Sequence, residues 1–237
     1  MTDSVLGVIP ARGGSTRIPR KNLEPVAGKP LVARAIEQAD RASALDEVLV
    51  STDDEEIRRV SREYGGGVPF ERPAELATDT ATSAAVLEHA LSWYDEHRDA
   101  TFDTVAMIQA TTPLRTAEDI DGAIRRLRET DASSVVSVTE YQTPPVWAMY
   151  EEDGLLREFF DGNYLWTDDE VPRSQEVPTL YYPNGAVFAA GTEAFRRAGG
   201  FYTDCTVGYE MPPERSIDVD EPFDLHLVRA LAAYDGD

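Results

Sequence analysis

VLGVIPARGGSTRIPRKN, residues 5–22, decides how the chain is read. Its first six residues are an apolar run that stops at a glycine-rich basic loop, the pattern of a buried parallel strand that delivers a ligand-binding loop at its carboxyl end. The loop is also anomalous in charge. The 237-residue chain has 22 basic and 44 acidic residues and a formal net charge of -22. Yet its only lysines, Lys21 and Lys29, fall here beside Arg12, Arg17 and Arg20, with Glu24 the single intervening anion. Gly13 and Gly14 allow a ligand close to the backbone, whose amides can face phosphate oxygens. A polyphosphate needs such a site, because cations must offset about four negative charges. The alternative is a solvent-exposed loop that kept its lysines. GxxxxGK[ST] and GxGxxG are both absent, which removes most support for a P-loop ATPase or a dinucleotide oxidoreductase.

Outward from the loop, the strand-to-helix pattern repeats. PLVARAIEQADRA (residues 30–42) has a helical period with Pro at a tolerated first-turn position. EVLVSTD (47–53), DTVAMIQ (103–109) and SSVVSVTEY (133–141) read as strands, with helices expected over 54–65, 80–97 and 117–129. PNGAVFAAG (183–191), a helix near 192–198 and a last helix over 222–234 complete the pattern. Such alternation implies an α/β fold with a mostly parallel, doubly wound sheet and ligands at the carboxyl ends of its strands. By size it is one domain over 1–237. Between 142 and 180 the alternation fails in a segment rich in Pro and aromatics, containing Trp147 and Trp166. That is too long for a structureless loop, so an inserted hairpin-like arm that packs on a partner is expected.

Strong acidity disfavours nucleic acid or an anionic membrane as partner. With arginine replacing lysine almost throughout, it suggests a surface suited to a salt-rich cytoplasm. The lone Cys205 excludes an intrachain disulfide. No leader-like or membrane-length apolar run is present, so a cytoplasmic protein is expected. His89, His97 and His226 lack metal-ligand or triad spacing.

Four further stretches can carry chemistry. In SIDVDEPFDL (216–225), Asp218 and Asp220 are two apart, and on an extended chain they face one side and can share a hard divalent cation. An acidic turn before the last helix is the alternative. ERPAELATDTATS (71–83) offers Arg72 and Ser83 to a nucleotide, with Asp79 or Thr80 as a helix cap. In MIQATTPLRT (107–116), Gln109 ends a strand where an amide can read hydroxyls. In YYPNGAVF (181–188), Asn184 and Gly185 begin a strand or mark a turn.

Taken in order, IPARGGSTRIPRKN, VSTDDEEI, ERPAELATDTATS, IQATTPLRT, PNGAVF and SIDVDEPFDL resemble the CMP-sugar synthetases that activate acidic keto sugars, especially the acylneuraminate cytidylyltransferases. The match spans about residues 5–229. The resemblance implies a three-layer sheet of the nucleotide-diphospho-sugar transferase type and a homodimer whose protruding arm closes the neighbour's site. The implied partners are CTP and an acidic nine-carbon keto sugar, with Mg2+ or Mn2+ as cofactor. It assigns Arg12, Lys21 and Asp220 to catalysis. Nucleotide contacts fall on Ala11, Arg12, Gly13, Gly14, Lys21, Asn22, Arg72 and Ser83, and metal ligation on Asp218 and Asp220. The sugar-facing residues would be Gln109, Asn184, Arg173 and Gln175. Tyr181 and Tyr182 stand where many sialate enzymes carry a basic residue before PNGA, so legionaminate, pseudaminate or another relative is an alternative to N-acetylneuraminate. A nucleotidyltransferase of the same architecture making CMP-Kdo or a UDP- or GDP-linked product is the further alternative among enzymes. A non-catalytic binding protein of the same fold is the alternative outside enzymes.

Overall fold

The computed structural model describes residues 3–160, 165 and 178–234. Its centre is a six-stranded sheet ordered β10-β6-β9-β5-β1-β4. The strands are β1 (Val5–Pro10), β4 (Glu47–Ser51), β5 (Thr104–Ile108), β6 (Ser134–Glu140), β9 (Tyr181–Gly191) and β10 (Thr206–Glu210). All run parallel except β9, which is antiparallel to both neighbours, β5 and β6.

Alternation along β1 divides the core. Val5 and Ile9 pack under α1 (Leu31–Asp40), α2 (Glu55–Glu63) and α4 (Ala117–Arg128). Leu6 and Val8 point the other way, under α3 (Ser83–His97) and Phe195 of α5 (Thr192–Ala198). Successive strand residues face opposite sides, so a sheet covered on both faces needs apolar side chains at both parities, hence the uninterrupted VLGVI run. The result is the expected three-layer arrangement.

The helix ends obey local chemistry. Asp54 accepts a hydrogen bond from the Ile57 amide at 2.9 Å to cap α2, and Thr116 and Asp119 form a reciprocal capping box on α4. At α3 the cap is Thr82, which accepts from the Ala85 amide at 3.2 Å, rather than Asp79 or Thr80. The helix therefore starts three residues later than periodicity suggested, and Asp79 is left to pair elsewhere. Edge strand β10 carries little sequence signal: it contains Gly208 and alternates exposed and half-buried positions. Its Tyr209 lies over Gly122 of α4, where any Cβ would fall 2.4 Å from the phenol oxygen.

Two small ribbons lie outside the sheet. Pro25–Val26 (β2) and Lys29–Pro30 (β3) make a tight antiparallel turn. In the expected arm, Met149–Glu152 (β7) pairs with Leu155–Glu158 (β8), joined by Asp153 and Gly154 with φ of 54° and 76°. Positive φ at both central residues makes the two-residue turn that matches strand twist. Trp166 lies outside the described residues.

Candidate active site

A third apolar cluster joins the two ends of the chain. Ile18 of the basic loop packs with Val26, Leu31 and Val219, and with Leu225 and Val228 of α6 (Pro222–Tyr234). Burying Val219 turns its neighbours Asp218 and Asp220 outward toward the loop. The segment is not paired in the sheet and is held by the Val219 amide donating to the Thr111 carbonyl at 2.8 Å.

Between these parts lies a cleft of about 400 Å3 at the carboxyl ends of β1, β4 and β5, where ligands of open α/β sheets bind. Arg12, Gly14, Lys21, Asn22, Arg72, Ser83, Gln109, Asp218 and Asp220 all line it. Ala11 and Gly13 lie beneath. The Ala11 amide donates to the Ser51 carbonyl at 2.9 Å, and the Gly13 amide to Asp53 Oδ1 at 3.0 Å. Gly13 is small because a Cβ there would sit 2.8 Å from Asp54. Arg173 and Gln175 lie outside the described residues.

Each cation is held by a group from a distant element. Lys21 Nζ donates to Asp220 Oδ1 at 2.9 Å and to the Val219 carbonyl at 2.7 Å. Arg12 donates to the Thr78 carbonyl at 2.9 Å and pairs with Asp79 at 2.8 Å. Arg72 is buried on the floor, bonded to the Ser51 hydroxyl and carbonyl. Desolvation pushes its pKa down to about 10, against the favourable charge of Asp53. Arg17 and Arg20 do not line the cleft: Arg17 pairs with Glu221 and, at 3.8 Å, with Asp220 on its edge, and Arg20 pairs with Asp54 and Glu56.

On the opposite wall, Asp218 Oδ1 is buried without a hydrogen-bond partner among the described residues. Burial raises the Asp218 pKa, with Asp220 adding to the rise, while a hydrogen bond from Thr111 works against it. An orphaned carboxylate oxygen beside a second carboxylate is a hard-oxygen donor set that suits a divalent cation such as Mg2+. Gly185, at φ 75°, makes room here: a Cβ would fall 2.8 Å from Asp218 Oδ2 and 2.9 Å from Gln109 Oε1.

Asn184 is placed differently from its neighbours. It is 2% exposed, its amide nitrogen directed at the Ser216 hydroxyl and Met211 sulfur, its oxygen accepting from Ser137 and the Ala186 amide. Its hydrogen-bonding capacity is spent on shaping β9 around the bulge opposite Ser137. Sequence reasoning missed Arg115, which is 1% exposed and donates to the carbonyls of Gln109 and Ala186 at 2.9 and 2.8 Å. A lone arginine after TTPL gave no sign of being buried. Asp79 and Thr78 were also missed as cleft residues.

The open α/β sheet and the polar cleft at the carboxyl ends of its strands, between a basic loop and an acidic wall, place the chain among the α/β proteins that bind ligands at that position. The cytidylyltransferase family model matches residues 6–148, and the chain belongs to that family. It is 35% identical over 230 residues to an N-acylneuraminate cytidylyltransferase of Streptococcus agalactiae, covering 94% of this chain and 52% of that protein. The chain thus spans about half the length of the streptococcal relative. A CMP-N,N'-diacetyllegionaminic acid synthase of Legionella pneumophila is 34% identical, and a pseudaminic acid cytidylyltransferase of Campylobacter jejuni 31%, each covered to 95%. In fold the chain is similar to CMP:2-keto-3-deoxy-manno-octonic acid synthetase solved with CTP. The TM-score is 0.69 at 19% identity, covering 98% of this chain and 99% of that one. None of the described helices is long and apolar enough to cross a membrane.

Proposed function

We propose that the chain joins CTP to a nonulosonic acid, N-acetylneuraminate or a relative, giving the CMP-sugar and pyrophosphate. The observation that carries this reading is the cleft itself: Arg12 and Lys21 of the basic loop face Asp218 and Asp220 in a member of the cytidylyltransferase family. The names of the relatives supply the substrate class. Two relatives of matching length are named for pseudaminic and legionaminic acids, which favours a sugar of that group.

The anomeric hydroxyl of the sugar attacks the α-phosphorus, the bond to the bridging oxygen breaks, and pyrophosphate leaves as the hydroxyl proton is lost. Arg12 and Lys21 sit on the triphosphate side and offset charge on the departing group. Arg72, Asn22 and Ser83 border the nucleoside, and Gln109 the sugar; Arg173 and Gln175, which the family resemblance also offers to the sugar, lie outside the described residues. The cleft's three cations are matched by Asp79, Asp218 and Asp220, so they cannot alone neutralise a triphosphate of about four negative charges. Asp218 and Asp220 would hold Mg2+, which supplies the missing positive charge and Lewis acidity when bound. With little covalent work to do, the protein contributes positioning and electrostatics.

We propose further that the arm dimerises. Six large apolar side chains between Met149 and Phe160 are exposed, from 44% at Phe160 to 64% at Phe159, more than a solvated hairpin needs.

The test is pyrophosphate release from CTP, UTP and GTP against a panel of nonulosonic acids and Kdo. CTP-selective turnover with at least one nonulosonic acid is expected. Equal use of UTP or GTP, or turnover with Kdo alone, would overturn the assignment.

A further inference from the structure

A second cleft, of about 500 Å3, lies between the β2-β3 turn, the outer face of α1, the start of α4, the 3-10 turn Pro213–Arg215 and α6. It shares no lining residue with the first. Five cations line it, Lys29, Arg34, Arg41, Arg115 and Arg215, against two carboxylates, Glu37 and Glu214. Counting buried Asp119 behind Arg215, positive charge still leads by two in a chain of net charge -22. The candidate active site, by contrast, is balanced.

Internal pairing does not exhaust these cations. Lys29 is held by Glu37 at 2.6 and 2.7 Å, and Arg215 is bidentate to Asp119 at 3.0 and 2.9 Å. Arg34 gives only its Nε to the Pro113 carbonyl, at 3.1 Å. Arg41 has no ion pair among the described residues. Arg115 spends its terminal nitrogens on Gln109, Ala186 and Gln38, and its buried Nε has no partner. Burial lowers the Arg34 pKa and pushes that of Arg115 down to about 9, so both guanidinium ions carry a desolvation cost that an anion would relieve.

We propose that this cleft is a second anion site, which takes a phosphate-class anion on Arg34 and Arg41, with Lys29 at the rim and the buried Arg115 adding positive charge beneath. Planar guanidinium forks grip phosphate bidentately, and Arg34 of α1 and Arg41 at its C-terminal cap, seven positions apart, both line the cleft. The size lies within the range of small-molecule sites. The site stands independently of the substrate proposed above, and it gives Lys29 a place outside the first cleft.

The experiment is calorimetric titration of the full chain with inorganic phosphate, pyrophosphate and CTP in an Arg12→Ala/Lys21→Ala background, which weakens the first cleft. Saturable binding of at least one anion is expected to persist there. Adding Arg34→Gln/Arg41→Gln should weaken it by about tenfold or more, as loss of two charge-assisted contacts would, while Arg34→Lys/Arg41→Lys, which keeps the charges but not the planar forks, should weaken it less. Tightest binding of phosphate or pyrophosphate identifies a phosphate group alone, and preference for CTP identifies a nucleotide. In the otherwise unaltered chain, pyrophosphate stoichiometry should fall from two to one on Arg34→Gln/Arg41→Gln. No saturable binding in the background, or binding indifferent to Arg34 and Arg41, would overturn the site.

Discussion

Lys21 Nζ donates to Asp220 Oδ1 at 2.9 Å across 199 positions of sequence, and this contact closes the basic loop onto the acidic wall. The lysine is well covered, whereas Asp220 remains more than half exposed. Removing Asp220 therefore disturbs charge more than packing, whereas removing Lys21 also leaves the Val219 carbonyl without its donor. For Lys21→Ala we expect turnover to fall by about 10²–10³, the usual cost of losing one group that stabilises developing charge, and the melting temperature to fall more than in Asp220→Ala. Steady-state pyrophosphate release together with thermal melting checks both halves. Unchanged turnover in Lys21→Ala and in Asp220→Ala would remove these residues from the site.

Gly185 tests how closely the acidic wall is packed. An alanine there must adopt φ near 75°, and its Cβ would meet Asp218 Oδ2 at 2.8 Å and Gln109 Oε1 at 2.9 Å. The left-handed conformation alone costs about 1–2 kcal/mol. Displacement of two cleft side chains should add a loss of turnover beyond what that destabilisation explains. Urea unfolding and kinetics on Gly185→Ala measure the two effects separately. A stable variant with full activity would show that this wall can yield.

Much of this arrangement was legible in advance because apolar runs and punctuation are local signals. VLGVIP, DTVAMIQ and the glycine-rich loop each declare a strand end or a turn within a few residues. The antiparallel sense of β9 was not legible, since a strand buried on both faces has the same composition in either direction. Nor was β10, whose half-exposed residues make sense only beside β6. At the site, residue types pointed to Arg12, Lys21, Asp218 and Asp220, which meet because Ile18 and Val219 share one apolar cluster. The internal use of Asn184 and the burial of Arg115 depend mostly on contacts 27 to 77 positions away, which no local pattern encodes.

His89 gives a test near neutral pH. It lies edge-on to Phe70 at 4.6 Å, its Nδ1 buried without a partner, and burial followed by the charge of Arg72 lowers its pKa. Because the unfolded chain then takes up the proton more readily than the folded one, stability present above the ordinary value of about 6.5 is lost as pH falls through the lower folded pKa. The difference in melting temperature between the unaltered chain and His89→Gln should narrow from pH 7.5 toward pH 5. A pH-independent difference would contradict the assigned environment.

The hairpin of β7 and β8 should control association. Leu155 and Leu156 are 56% and 54% exposed at its second strand, and neither contributes to the three core clusters. Leu155→Ser/Leu156→Ser is expected to shift a dimer to monomer in light scattering while leaving the melting of the sheet domain nearly intact. A dimer of undiminished affinity would place the interface elsewhere.

Salt dependence follows from how the few cations are used. Those of the basic loop are already committed, Arg12 to Asp79, Arg17 to Glu221, Arg20 to Glu56 and Lys21 to Asp220. Others tie helices together, as Arg196 does with Glu88 and Asp95, and Arg229 with Glu24. With 44 acidic groups against 22 basic ones, pairing leaves a large excess of carboxylates whose mutual repulsion opposes the compact state. Salt weakens both terms, but exposed pairs contribute only about 0–1 kcal/mol each, whereas the excess charge acts over the whole surface. Relief of repulsion should therefore prevail, and the melting temperature should rise from low salt to multimolar KCl. The rise should be steepest at low ionic strength, where the screening length shrinks from about 30 Å at 0.01 M to about 10 Å at 0.1 M. A flat or falling melting temperature over that range would show that the paired charges outweigh the unpaired ones.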